Sequence, residues 1–329
     1  MGDPKVIKRI TETDRGILYD LYRFRIMSRE QIERIYFSEN KAYTYRKMHI
    51  MKNSGLVRSK IVMRQRQEER ERTAIYYITD RGLRLLRELE IIDDDIEAKD
   101  LQIDRENVDN YLDFNDIYVE LKDEGYRFLD SRALKKKYQM ERGDLCKGAI
   151  VDEDGKEYLV YVIKNKARES TMRRILKESG KKLMGMTERH NLILFRGMES
   201  YDEFLKMYDQ YVLPSAYIMP FGFGVDYLKR YKGERDFVNL ITKYGPVKRN
   251  DDRFSRAFPY VIEHKGEEKY AVNLMMNDLV LIDKLTRERL DKKALLFTHE
   301  IFGYDINERL KGVRGIEIIE ITDGELMSC

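Results

Sequence analysis

The stretch from Ser28 to Thr79 constrains the fold of this chain more than any other. Ser28 is followed three residues later by Gln31, which is the spacing of a capping box and predicts that a helix begins at Arg29. A second helix is predicted from about Lys41, and Gly55 is well placed to end it in a left-handed conformation. Apolar residues at steps of three predict its buried face, which we expect to contain Ala42, Tyr45, Met48 and Met51.

Two strands follow the second helix. Leu56 and Val57 open the first, residues 74–78 (AIYYI) form the second, and a polar, charged loop lies between them. Two short helices that meet at a tight turn and lead into a β-hairpin are the parts of a winged helix-turn-helix. We predict this fold for residues 1–92, with the charged loop as its wing.

The charge of this stretch indicates what it would bind. From Lys41 to Arg66 the chain has eight basic residues and no acidic residue. Such a surface attracts phosphates and releases their counterions, which produces salt-dependent affinity for DNA. A recognition helix presents its outer side chains to the major groove. The predicted DNA-binding residues are Arg29, Lys41, Tyr43, Thr44, Arg46, Lys47, Lys52, Arg58, Lys60, Arg64 and Arg66. The alternative is a solvated basic face on an ordinary helical domain.

The rest of the chain has the opposite charge. Residues 1–92 contain 21 Lys and Arg against 13 Asp and Glu, so they carry +8, and the net charge of +3 for all 329 residues leaves −5 for the remainder. A basic module joined to a mildly acidic body fits a DNA-contacting part and a body with other duties. We predict an acidic linker over residues 93–106, an α/β domain over 107–224 and a second α/β unit over 225–329.

The α/β part has a regular order of elements. A predicted helix over residues 108–124 is followed by strands at 126–133, 145–151 and 158–163, a helix at 170–189 and a buried strand at 191–195. This α-β-β-β-α-β order is that of the PD-(D/E)xK nuclease core. The region from Tyr260 to Ile321 repeats a β-β-α-β pattern, either by duplication or by independent arrival at a common arrangement. The predicted fold class is α+β, an N-terminal winged helix-turn-helix followed by nuclease-like α/β domains.

Three segments resemble the replication-relaxation family of plasmids, conjugative elements and phages. They are GILYDLYRFRIMSREQIERIYF with the basic helix and the hairpin that ends in YYITDRGLRLL, then DNYLDFNDIYVEL, then DLCKGAIVDEDGKEYLVYVIKN. The resemblance covers roughly residues 14–200, and it implies a role in plasmid replication or relaxation.

The residues of a metal-dependent nuclease are incomplete in the predicted nuclease-like domain. Such an enzyme needs oxygen ligands for Mg²⁺ and usually a nearby lysine. Asp144, Glu120 and Lys164 are candidates for these roles, but Val162 stands where the acid-x-Lys triplet of that fold has its carboxylate. We therefore predict no catalytic residues and no enzyme activity. A nuclease that uses Asp144 and Lys164 is the enzymatic alternative.

Few other features carry chemistry. Cys146 and Cys329 are too few for a disulfide framework or a thiolate metal site, and the four histidines have no metal-ligand spacing. No phosphate-binding glycine motif occurs, so we expect no metal and no cofactor. Neither a signal peptide nor a membrane span is apparent, which predicts a cytoplasmic protein.

These observations predict a sequence-specific, duplex DNA-binding protein that acts in replication, relaxation or segregation. Its body would form a homodimer or hold a replication or segregation protein. A transcriptional regulator is the alternative that involves no catalysis.

Overall fold

The structure, a computed structural model, describes residues 6–7, 9–66, 69–141, 143–250, 258–287 and 289–326, and of residues 65, 66, 69 and 70 the backbone alone. The fold is mixed α/β, with several sheets. It divides into two compact units, the first comprising Met1–Lys122 with Leu129–Lys136 and the second Asp123–Phe128 with Lys137–Cys329.

The N-terminal unit packs helices on a three-stranded sheet. Its elements are α1 (Glu12–Phe24), β1 (Met27–Ser28), α2 (Arg29–Tyr36), α3 (Lys41–Asn53), β2 (Val57–Arg66), β3 (Glu69–Ile78), α4 (Asp80–Glu88) and α5 (Val108–Leu121). The strand order is β1-β3-β2, and both pairs are antiparallel. Apolar side chains of α1 to α4 and of the base of the β2–β3 hairpin form one core, which includes Ile17, Leu21, Ile32, Met48 and Leu83.

Local sequence motifs mark the start of α2 and the end of α3, as predicted. Gln31 N donates to Ser28 Oγ at 3.2 Å and Ser28 N donates to Gln31 Oε1 at 2.8 Å, so the capping box that begins α2 is confirmed. Gly55 has a φ of +70° directly after α3, which confirms its left-handed conformation.

The segment predicted as a linker packs on the N-terminal unit. Ala98–Leu101 form a 3₁₀ helix, and the side chains of Ala98 and Leu101 are buried in the core of that unit. α5, predicted to open the second domain, belongs to this unit as well, because its buried Asn115 amide donates to the carbonyl of Ile26. The compact units therefore divide near Lys122 and not at the predicted boundaries of 92 and 107.

The C-terminal unit contains two β-sheets with connecting helices. The first sheet has the order β4-β5-β6-β7-β8, and the second has the order β13-β12-β11-β10-β9. The elements of the first part are β4 (Arg127–Asp130), α6 (Ser131–Tyr138), β5 (Gly148–Val151), β6 (Glu157–Ile163), α7 (Glu169–Gly180), β7 (His190–Phe195), α8 (Met198–Tyr208) and β8 (Tyr217–Pro220). The end of β4 and most of α6 fall within Leu129–Lys136, which is grouped with the N-terminal unit. Those of the second part are α9 (Phe221–Arg230), α10 (Glu234–Ile241), β9 (Val247–Arg249), β10 (Tyr260–His264), β11 (Glu267–Asn273), α11 (Leu279–Arg287), β12 (Ala294–His299), α12 (Glu300–Arg309), β13 (Ile316–Ile321) and α13 (Asp323–Leu326).

The two sheets share one strand order, and the last four strands of each share one set of directions. In the first, β5 and β6 are antiparallel, whereas β6, β7 and β8 are parallel. In the second, β10 and β11 are antiparallel, whereas β11, β12 and β13 are parallel. Each parallel step passes through one helix, so the predicted β-β-α-β pattern is present in both places. Their common origin stays a prediction.

A strand and a helix in the region of the first sheet are shorter in the structure than predicted. The strand predicted at 126–133 ends at Asp130, whose Oδ1 accepts from the backbone N of Arg132 at 2.8 Å and of Ala133 at 3.1 Å. Asp130 thereby starts α6, a helix that the sequence pattern did not predict. The helix predicted at 170–189 ends at Gly180, because Lys181 is extended. Among the described helices, none is long and apolar enough to cross a membrane.

Candidate nucleic-acid interface

One face of α3 is buried in the N-terminal unit. Asn40 caps the helix, with Tyr43 N donating to Asn40 Oδ1 at 3.0 Å, and the helix buries Thr44, Met48 and Met51. Ala42 and Tyr45 were predicted to be core but are exposed, Tyr45 by 62%. The prediction is wrong at these two positions because the helical period aligns 44, 48 and 51 on the inner stripe.

Thr44 is one predicted DNA contact that the structure contradicts. Its side chain is fully buried, and its Oγ1 donates to the carbonyl of Asn40 at 2.8 Å. Such a bond to the preceding turn is a common local use of threonine. Tyr43, by contrast, is 51% exposed, and its ring meets that of Phe37 edge-on at a centroid distance of 5.2 Å.

Five of the predicted cations are exposed along α3 and β2. They are Lys41, Arg46, Lys52, Arg58 and Lys60, which we call the basic face. Neither α3 nor β2 contains an acidic residue, so no carboxylate within these two elements offsets the positive charge. Arg29, at the start of α2, is half-buried, and the side chain of Arg66 lies outside the described residues.

Lys47 has a structural partner. Its Nζ lies 2.8 Å from Oδ1 of Asp14, a fully buried carboxylate of α1. Thr11 also donates to Asp14 Oδ2, through its backbone N at 3.0 Å and its Oγ1 at 2.7 Å. Truncation of Lys47 would leave a buried carboxylate without its counter-charge, so a Lys47 variant would lose stability together with any DNA contact.

The structure also contradicts the predicted role of Arg64 as a DNA contact. Its side chain is 0% exposed, and its Nη2 lies 2.6 Å from Asp116 Oδ2 and 3.2 Å from Asp113 Oδ1, both on α5. Burial disfavours the guanidinium charge, but the two carboxylates outweigh that effect and hold the pKa of Arg64 above its ordinary value. Because side chains alternate along a strand, Arg64 turns toward α5 and away from the side on which Met63 lies.

The β2–β3 hairpin differs from the predicted polar loop. β2 and β3 are each 10 residues long and pair from Val57↔Ile78 to Arg66↔Glu69, so residues 58–66 and 69–73, which were predicted as loop, are strand. Ile61 and Met63 are 60% and 53% exposed on one face of this hairpin. Arg72, opposite Met63, is exposed on that face too.

The candidate nuclease residues have other roles in the fold. Asp144 Oδ2 accepts from the backbone N of Glu141 at 2.8 Å, and Lys181 Nζ lies 3.6 Å from Asp144 Oδ1. Val162 occupies β6, where it pairs with Leu194, and Lys164 follows that strand. Glu120 belongs to the N-terminal unit, in which Arg34 Nη1 binds it at 2.6 Å.

One group in the described part of the chain has carboxylate and imidazole atoms close enough to share a metal ion. It consists of His299, Glu300 and Asp323. Ile301 N donates to His299 Nδ1 at 3.3 Å, so the neutral imidazole carries its proton on Nε2, which lies 3.5 Å from Asp323 Oδ1. Arg230 Nη1 donates to the same Asp323 oxygen at 3.1 Å. A protonated Nε2 and an arginine-bound carboxylate do not suit a metal ion.

Comparison with known proteins found a similarity in the first part of the chain. Residues 18–144 match the model of the replication-relaxation family. This segment is similar to the replication-relaxation family. The match runs from α1 to Asp144 and contains the first resembling segment from Leu18 onward and the whole of the second, whereas the third begins where the match ends. No curated protein and no solved structure matched the chain.

The motif DNYLDFNDIYVEL of the replication-relaxation segment has a defined structural role. It forms most of α5, and its Asp113 and Asp116 are the two partners of Arg64. Gln31 Nε2 of α2 donates to Asp116 Oδ1 at 2.7 Å and to the carbonyl of Leu112 at 2.8 Å. This network was not predicted, although two carboxylates three residues apart lie on one helix face and together favour a basic partner.

Proposed function

We propose that the N-terminal unit is a winged helix-turn-helix that binds duplex DNA specifically in the replication, relaxation or segregation of a plasmid, phage or mobile element. The observation that carries this proposal is the basic face, five exposed cations on two neighbouring elements that have no acidic residue. If all five contacted phosphates, the logarithm of the binding constant would fall with the logarithm of salt concentration with a slope of about −4.5.

α3 is the recognition helix in this proposal. Arg46 is exposed there, and a guanidinium can bind O6 and N7 of guanine with two parallel hydrogen bonds. Tyr43 is held beside Phe37 and offers an aromatic edge to the same groove. The hairpin β2–β3 is the wing, which brings Arg58 and Lys60 to the phosphate backbone. The similarity of residues 18–144 to the replication-relaxation family supports a role in replication or relaxation.

The test compares Arg46→Ala with the wild type on duplex DNA from the region around the gene and on a scrambled duplex. Loss of a base contact should weaken binding to the specific duplex by about 1–3 kcal/mol, whereas loss of a phosphate contact should make the salt slope shallower by about one. Fluorescence anisotropy at several salt concentrations measures both quantities.

Arg84→Ala is the matched control, because Arg84 is an exposed arginine on α4, outside the basic face. It should bind both duplexes as the wild type does. Equal affinity and equal salt slope for Arg46→Ala, Arg84→Ala and the wild type would contradict the assignment of α3. Lys47 is a poorer test, because its ammonium pairs with the buried Asp14.

A further inference from the structure

The C-terminal unit encloses a cavity of about 1020 Å³ that is lined by residues of both of its β-sheets. Lys156 and Tyr158 at the start of β6, His190 at the start of β7 and Tyr217 at the start of β8 form one wall. Sites for small molecules in proteins usually have volumes of roughly 300–1,000 Å³, so this cavity is large enough for one.

Lys156 is the most unusual group on this wall. Its half-buried ammonium donates to Tyr217 Oη at 3.0 Å and lies 5.1 Å and 4.9 Å from the ring centroids of Tyr158 and Tyr217. Within the described residues, no carboxylate lies within ion-pair distance of its Nζ. An ammonium has three donors, and one is used here. The other two are available to a molecule in the cavity.

Each carboxylate that lines the cavity has a partner. Glu157 is paired with Lys137 at 2.6 Å. Asp152 accepts from the backbone N of Lys156 at 2.7 Å, Asp278 from the backbone N of Val280 at 3.1 Å, and Asp154 from the backbone N of Glu234 at 3.0 Å. Glu234 accepts from Tyr260 Oη, and Glu188 lies 3.7 Å from His190 Nε2.

Lys232, another lining cation, is paired with Glu124 at 3.0 Å. Lys156 has no ion-pair partner among the described residues, so its ammonium offers a local site for an anion.

Aromatic surface makes up much of the remaining wall. Six tyrosines and Phe237 line the cavity. Aromatic side chains stack on planar rings and provide a large apolar contact. The ammonium of Lys156 lies beside this wall, and sites for small aromatic anions commonly combine a few polar groups that orient the ligand with a mainly apolar lining.

We propose that this cavity binds a small organic anion with a planar ring, whose phosphate or carboxylate accepts hydrogen bonds from Lys156 Nζ while its ring packs against the tyrosines. A mononucleotide and an aromatic carboxylate share this chemistry. The site lies in the C-terminal unit and does not depend on the proposed DNA binding of the N-terminal unit.

The protonation of Lys156 supports the same conclusion. Burial lowers the pKa of Lys156, an effect that Asp278 and Asp152 oppose, with smaller contributions from Glu188 and Glu234. A bound anion would stabilise the ammonium form, so binding should take up protons and weaken as the pH rises through the pKa of Lys156.

Four other titratable groups that face Lys156 change their protonation state outside the mildly alkaline pH range. Burial lowers the pKa of His190 to about 4 and raises that of Asp278 to about 6, whereas it raises the pKa of Tyr158 and Tyr217 well above the ordinary value for tyrosine. These four groups therefore keep their protonation states in mildly alkaline solution, where Lys156 can lose its proton.

The experiment is calorimetric titration of the full chain with adenosine monophosphate, benzoate, adenosine and inorganic phosphate. At least one of the two ring-bearing anions should bind more tightly than adenosine or phosphate. For that anion, Lys156→Met should weaken binding by about 10- to 100-fold, the effect of removing a charged hydrogen bond. Lys232→Met is the matched control, since Lys232 lines the same cavity but is paired with Glu124, and it should change the affinity less than about threefold.

Two further measurements keep the test decisive. Tyr217→Phe, which keeps the ring and removes the hydroxyl that contacts Lys156 and His190, should still bind the anion. As the pH rises from about 7.5 toward the ordinary pKa of lysine, a range in which a phosphate monoester keeps its charge, affinity should fall for the wild type and stay constant for Lys156→Met. The proposal is overturned if neither adenosine monophosphate nor benzoate binds the wild type at about 10 mM. It is equally overturned if Lys156→Met binds as tightly as the wild type.

Discussion

At the scale of single residues, the basic stretch between Lys41 and Arg66 separates into two classes. Arg46 and Lys52 are exposed on α3 and are available to a phosphate, whereas Arg64 is enclosed by Asp113 and Asp116. All three side chains carry a positive charge, but Arg46 and Lys52 are exposed to solvent whereas Arg64 is buried. A buried guanidinium persists only with carboxylates that compensate for its lost hydration.

Arg64→Met should therefore destabilise the N-terminal unit. The substitution leaves the carboxylates of Asp113 and Asp116 close together without their shared counter-charge, which should cost about 3–5 kcal/mol of the free energy of unfolding. Urea denaturation followed by far-ultraviolet circular dichroism measures the change. Arg72→Met, at an exposed position on the same hairpin, should stay within about 0.5 kcal/mol of the wild type. Equal stability of the two variants would show that the Arg64 network contributes nothing.

At the scale of elements, the β2–β3 hairpin does two things at once. Its base contributes Val57, Tyr76 and Ile78 to the core of the unit, and Arg64 on one face binds α5. Arg58 and Lys60 on β2 remain exposed. Each strand is 10 residues long, so the hairpin is longer than the part of it that packs in the core of the N-terminal unit. The remaining part can contact another molecule.

Replacement of Arg58 and Lys60 together by alanine tests the hairpin as a wing. Each lost phosphate contact lowers the salt slope by about 0.9, so the double variant should have a slope shallower by about two and lower affinity for all sequences alike. Salt titrations of binding to specific and scrambled duplexes supply the numbers. Arg81 and Arg84, both exposed on α4, form the matched control pair, and their double alanine variant should keep the wild-type slope. A wild-type slope in the hairpin variant as well would rule out a wing.

At the scale of the whole molecule, the two sheets of the C-terminal unit repeat one topology. Antiparallel hairpins open both sheets, and helices connect the parallel strands that follow. The helix α6 interrupts the α-β-β-β-α-β order predicted for the first sheet, so the nuclease-like fold stays a prediction. Val162 on β6 offers no carboxylate, and Asp144 accepts from the backbone of Glu141 and lies near Lys181. A fold of this kind can act as a scaffold, because function depends on the residues of a site and not on topology.

We accordingly expect no DNA cleavage by the purified protein. Val162 stands where the nuclease pattern has its second carboxylate, so Mg²⁺ or Mn²⁺ would lack the oxygen ligand needed there to polarise a phosphate and activate water. Supercoiled, linear and single-stranded DNA should remain intact with either metal on agarose gels. Asp144→Ala is the control that separates a contaminant from an intrinsic activity. Cleavage by the wild type that disappears in Asp144→Ala would establish a nuclease and contradict this prediction.

The sequence by itself determined the local parts of this protein. The Ser28 capping box, the end of α3 at Gly55 and the charge of the segment that follows are visible in the chain, because each depends on residues a few positions apart. The β-β-α-β order of the two sheets also followed from short-range patterns. The similarity of residues 18–144 to the replication-relaxation family agrees with motifs of the same local kind.

Only the tertiary structure decided which charged and polar side chains face water. Arg64 and Asp113 are 49 residues apart, and Lys156 and Tyr217 are 61 residues apart, so no local pattern predicts that they meet. Thr44 and Tyr45 are neighbours on one helix, yet the rotation of α3 against the core buries the first and exposes the second. Burial is set by the packing of distant elements, whereas composition and periodicity report only what each element can bury.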